Sequence, residues 1–233
     1  MNRAVDPTSL SRILLTVDAI GDAWHYVFGL ATELSSRGAE VLVAALQAPP
    51  ADVLRVSGPT LDGRAGGDLL LEVAPFALTG AEPPWRVAAA AKPWLERLAA
   101  AWAPDVVHLS TLGHGALAVD APVVSVVHAA ALAWYDASAQ RFPGPIWSRQ
   151  DEVIARGLRR SALVAAPTAP VLETVGKRYG AFPRTLVLDT QSHADLVARA
   201  WSVASHLHVY GALIAESRAR RASTDTGTCA VLR

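Results

Sequence analysis

Apolar residues in this chain gather in short runs of strand length, separated by stretches with helical spacing. The first run is Ile13 to Val17, and it ends in the turn Asp18-Ala19-Ile20-Gly21-Asp22. From Trp24 the period changes. Trp24, Val27, Phe28, Ala31 and Leu34 fall near one face of a helix. Ser35-Ser36-Arg37-Gly38 closes that helix, with Gly38 placed for a left-handed C-terminal cap. Val41 to Ala45 is a second buried run. Strand, helix and strand in so few residues predict a βαβ unit, which requires parallel strands and a right-handed crossover.

The same alternation continues. Further strands are predicted at Asp68–Ala74, Val106–Leu109, Val123–Val127, Ser161–Ala165 and Arg184–Leu188. Helices are predicted over Trp85–Trp102, Ala116–Val119, Arg149–Arg160 and Thr168–Tyr179, with a break or kink at Pro93. Gly/Pro-rich sequence from Ala48 to Gly67 reads as loop, and Trp134 to Trp147 as a mixed region interrupted by Phe142-Pro143-Gly144-Pro145. The expected fold is α/β: a Rossmann-like, doubly wound, mostly parallel sheet plus a C-terminal helix. That helix rests on Leu196, Val203, Leu207, Tyr210 and Ile214, an apolar stripe that needs a surface to cover it. The expected organisation is a Rossmann-like domain over 11–188, a docking helix over 189–218 and a polar, disordered tail over 219–233.

Composition narrows the function classes. Twenty-one Lys+Arg balance twenty-one Asp+Glu, so the chain lacks the basic excess of a nucleic-acid binder. One cysteine, Cys229, rules out a disulfide framework or a cysteine metal cluster and fits a reducing cytoplasm. The N-terminus lacks the apolar core of a signal peptide. The longest apolar region, Ala121 to Tyr135, is interrupted by Pro122, Ser125 and His128 and is too short to span a bilayer. A soluble, cytoplasmic protein without a transmembrane segment is expected.

Candidate chemistry projects from the strand ends. In the first turn, Gly21 allows close backbone approach, and Asp22, Trp24 and His25 follow it. The turn is equally well read as a plain βα connection with Trp24 packed as core. GxGxxG is absent, which disfavours a nucleotide-dependent oxidoreductase. His128 follows the fifth strand, where a neutral imidazole can orient a hydroxyl or take its proton; a hydrogen-bonded core role is the other reading. His108 and His114 flank the Gly113/Gly115 loop, but no third residue has metal-ligand spacing, so no metal is expected. Trp134 offers a ring that could pack on a sugar face or in the core. No carboxylate pair, Ser/His/Asp order or Walker loop stands out. The residues alone reach a ligand-facing α/β domain, without a reaction.

Three segments in order resemble the family-4 glycosyltransferases, which are retaining enzymes of two-domain GT-B type. They are DAIGDAWHYVFGLATELSSRGAEVLVA, PDVVHLSTLGHGALAVDAPVVSVVHAAALAWYDA and RSALVAAPTAPVLETVGKRYGAFPRTLVL, and together they run from Ile13 to Leu188. The resemblance implies an N-terminal acceptor domain. In it Gly21 belongs to the first-strand glycine loop, and His128 lies in the cleft near the donor sugar. Where the family commonly has Gly-Gly, this chain has Gly21-Asp22. The family's donor domain, with its basic pair and Glu-x7-Glu motif, has no counterpart after Leu188. ARAWSVASHLHVYGALIAE is instead similar to the family's last helix, which crosses back onto the N-terminal domain.

The function expected from this resemblance is the acceptor-binding half of a sugar-nucleotide-dependent hexosyltransferase, inactive or weakly active alone. His128 is its catalytic residue, and Gly21, Asp22, Trp24, His25, His114 and Trp134 bind substrate. The expected partners are a glycan or small hydroxyl acceptor and a separate donor-domain protein. No cofactor is expected. The alternative is a non-catalytic ligand- or partner-binding domain, or a split-enzyme subunit.

Overall fold

The computed structural model describes residues 11–17, 23–48, 69–75, 84–110, 114, 116–141, 144–188 and 196–229. The turn holding Gly21 and Asp22, and the loop expected from Ala48, lie almost wholly outside them. The strands are β1 (Arg12–Val17), β2 (Glu40–Ala45), β3 (Leu69–Val73), β4 (Val106–Leu109), β5 (Val123–Val126), β6 (Leu163–Ala166) and β7 (Thr185–Val187). The helices are α1 (Ala23–Ser36), α2 (Pro84–Trp102), α3 (Ala129–Arg141), α4 (Pro145–Arg160), α5 (Ala169–Tyr179) and α6 (Leu196–Cys229). All pairings are parallel, in the order β3-β2-β1-β4-β5-β6-β7. The expected parallel, Rossmann-like sheet is the one observed.

Several local features follow directly from residue chemistry. Gly38 adopts φ 91, and the amide of Ala39 reaches back to the carbonyl of Leu34 at 3.0 Å, which closes α1. Thr168 caps α5 by accepting from the Val171 amide, with Pro170 in the first turn. Three readings need correction. Pro93 does not divide α2, which runs unbroken from Pro84 to Trp102; Pro93 lies on the exposed side, where solvent can satisfy the carbonyl left without its donor. The mixed region resolves into α3 and the start of α4, with Gly144 at φ 136 and Pro145 opening the next helix. No helix forms over Ala116–Val119; a single turn at His114 leads into extended chain. At the other end α6 continues through the polar run to Cys229, carried by the helix-favouring sequence Ala-Glu-Ser-Arg-Ala-Arg-Arg-Ala.

The two faces of the sheet are covered by different means. Leu14, Leu42, Val107 and Leu109 pack under α2, while Val164 packs with α4 and α5 through Ile154, Leu158 and Val175. Right-handed crossovers put these helices on one face, and the β1-to-β2 crossover puts α1 on the other. Among the described elements the helices α2 to α5 do not cover this part of the α1 face, so Val106, Val124, Val126, Leu163 and Ala165 need another cover. α6 supplies it, burying Tyr210, Leu213 and Ile214 in the same cluster as α1.

Candidate functional site

β1 and β4 meet where the strand order reverses, the position at which open α/β sheets form a ligand crevice beyond their C-terminal ends. The two ends are tied together by the Ser110 amide donating to Thr16 Oγ1 at 3.2 Å. Strand alternation directs His108, like Val106, towards the α1 and α6 face. There it meets Tyr26 of α1, His206 and Tyr210 of α6, and, just past β5, His128.

This group is continuous. The Tyr26 hydroxyl lies 2.8 Å from His206 Nε2, and Tyr210 is hydrogen-bonded to His108 Nδ1. His108 stacks on His206 at 5.8 Å and 27°. His128 meets Tyr26 edge-on, with centroids 4.8 Å apart at 67°. His108 is fully buried, whereas His128, just past β5, is partly exposed. Burial holds the His108 pKa well below the usual histidine range, and the neighbouring His206 and His128 add to that. Burial likewise raises the Tyr26 hydroxyl, and Tyr210 rises through burial and then through Tyr26. At neutral pH His108 is therefore a neutral imidazole between protonated phenols.

A second feature lies between α2, α4 and the chain at 114–117. It is a cavity of about 190 Å³ lined by Ala88, Ala89, Lys92, His114, Ala116, Leu117, Gln150 and Val153. Ala88 and Lys92 are the fifth and ninth residues of α2, so the cavity lies along the first half of that helix. His114 is buried, which lowers its pKa to about 4.

The other sequence-selected residues part company. Trp24 is buried and stacks on Phe28 at 5.5 Å, so its ring serves the core. His25 is exposed in the first turn of α1. Trp134 falls in α3, but its side chain lies outside the described residues, as do Gly21 and Asp22. Among the described residues no group of three or more His, Cys, Asp or Glu could hold a metal. No described helix is long and apolar enough to cross a membrane. Sequence reading passed over Tyr26, His206, Lys92 and Gln150. The i, i+4 spacing of His206 and Tyr210 was the one available signal, since it puts both rings on one helix face.

The sequence matches the model of Glycosyltransferase Family 4 over residues 23–188. No curated protein matches it. In fold the chain is similar to Glycyrrhiza uralensis UGT73P12 complexed with glycyrrhetinic acid 3-O-monoglucuronide, at TM-score 0.52 and 12% identity over 84% of this chain and 52% of that one. It is also similar to a sucrose-phosphate synthase from Thermosynechococcus elongatus, at TM-score 0.50 and 15% identity over 76% and 47%. A piece of that synthase designated 27_220_406_426 gives TM-score 0.55 and 13% identity over 85% of this chain and 97% of the piece. The chain thus spans about half the length of the first two and nearly all of the third.

Proposed function

The chain belongs to glycosyltransferase family 4, and from that premise we propose that it is the acceptor-binding half of a retaining, sugar-nucleotide-dependent hexosyltransferase of GT-B type. The observation that carries this reading is how α6 joins the family-matched region. α6 starts at Leu196, just after β7 ends at Val187, and it packs on the β1–β4–β5 side of the sheet. The residues between them are too few for a domain. In the synthase piece the designation likewise joins two separated segments, 27–220 and 406–426, and this chain covers 97% of it. α6 corresponds, in this reading, to the second segment, and a donor-binding domain comes from a separate protein.

Within that reading His128 is the catalytic residue, set at the crevice by Tyr26, and the acceptor approaches from the strand ends. A departing nucleoside diphosphate needs preorganised positive charge, which the described residues of the crevice do not gather. The purified chain is therefore expected to show no turnover of UDP- or GDP-sugars by itself, and to gain it when co-expressed with a donor-binding GT-B half from the same genome. Turnover by the chain alone would overturn the split arrangement. Failure of every such pairing, together with sugar binding by the chain, would favour the non-catalytic binding module. A cytoplasmic setting suits a chain with one cysteine.

A further inference from the structure

In the cavity between α2 and α4, unfilled space coincides with buried polar atoms that lack partners. His114 and Gln150 are 3% and 4% exposed. His114 Nδ1 and Gln150 Nε2 have no hydrogen-bond partner among the described residues, and both residues line the cavity. A buried donor or acceptor left unmade is costly, so two beside one void point to something that enters and satisfies them. The helix expected over Ala116–Val119, beside this cavity, does not form.

The walls also say what kind of molecule fits. Among the described lining residues the one cation is Lys92, and it is already engaged. Its Nζ donates to the Ala116 carbonyl at 2.8 Å and pairs with Glu96 at 2.8 Å. Glu96 in turn accepts from the Ala118 amide at 2.7 Å. Among the described lining residues no other side chain offers positive charge to a phosphate or carboxylate. His114, with its pKa lowered to about 4, is uncharged at neutral pH. The remaining walls, Ala88, Ala89, Ala116, Leu117 and Val153, are small and apolar.

We propose that this cavity binds an uncharged glycoside or polyol, whose apolar ring face lies on the alanine wall and whose hydroxyls meet Gln150 and His114. This site lies on the α2 and α4 side of the sheet, across from Tyr26 and His128, and is separate from the acceptor site proposed above. A Gln150 amide N–H donates to a ring oxygen or hydroxyl, and the His114 imidazole accepts from or donates to a second hydroxyl.

The test uses the full chain and saturation-transfer NMR with phenyl β-D-glucopyranoside and myo-inositol, compared with glucose 6-phosphate. The neutral ligands should bind with a dissociation constant on the order of 1 mM, and the phosphate about tenfold more weakly. Ala89→Trp, which fills the cavity, should abolish the transfer. Gln150→Leu removes an unsatisfied donor, so it should leave the free chain's melting temperature unchanged or raised while weakening glycoside binding about tenfold. No transfer from either neutral ligand, equal or tighter binding of the sugar phosphate, or unchanged binding in Gln150→Leu would overturn the inference. The acceptor-half reading fails separately, in the pairing assay.

Discussion

The hydroxyl of Tyr26 lies 2.8 Å from Nε2 of His206, joining residues 180 apart in the chain. One ring thereby serves two structures. Tyr26 ties α1 to α6 on one side and meets His128 edge-on at the crevice on the other. The position of the crevice histidine is thus linked to the docking of the last helix.

A double-mutant cycle tests that link. Tyr26→Phe keeps the ring and loses the hydroxyl, and it should cost about 1 kcal/mol of stability. Combined with His206→Phe, the loss should be smaller than the sum, with a coupling of roughly 0.5–1.5 kcal/mol. Strict additivity in urea unfolding would show that the contact contributes nothing.

Removing everything after Leu188 should destabilise the domain. Tyr210, Leu213 and Ile214 each leave the core, at about 1.5–3 kcal/mol per side chain before ordering costs are returned. Val106, Val124 and Val126 lose their cover at the same time. The truncated chain should melt lower or aggregate. An unchanged melt, with rapid proteolysis of α6 in the intact protein, would show the helix to be a dangling extension.

Stability should fall on mild acidification. His108 and His114 have folded pKa values below the ordinary 6.5, His114 at about 4. Between the folded and unfolded values the unfolded chain binds more protons, so stability is complete above about pH 6.5 and is lost as pH falls through that window. For His114 the window closes near 4, and each unit costs up to about 1.4 kcal/mol. The urea midpoint should be lower at pH 5 than at pH 7, and His114→Leu should flatten the slope. Equal midpoints at the two pH values would contradict the buried, neutral assignment.

In a reconstituted pair with a donor-binding half, His128→Ala should lower kcat by about a hundredfold or more and shift the melting temperature little, because His128 is only partly buried, past the C-terminal end of β5. A variant that keeps full activity would remove His128 from the reaction.

The sequence by itself determined the βαβ start, the parallel α/β class and the family. Each of these is written locally. Apolar runs of strand length, the helical spacing from Trp24 and a glycine at a left-handed cap all act within a few residues. Which rings share a site was decided only in three dimensions. Val106 and His108 alternate in the same way whether their face meets a helix or water, so strand periodicity cannot say what lies above them. Right-handed crossovers send α2, α4 and α5 to the opposite face, and the vacancy this creates is filled from the far end of the chain by α6. That docking brings His206 and Tyr210 to Tyr26 and His108, and sets His128 beside a ring held from two sides. The cavity at His114 and Gln150 was equally hidden, because its lining is assembled from α2, α4 and the chain between β4 and β5.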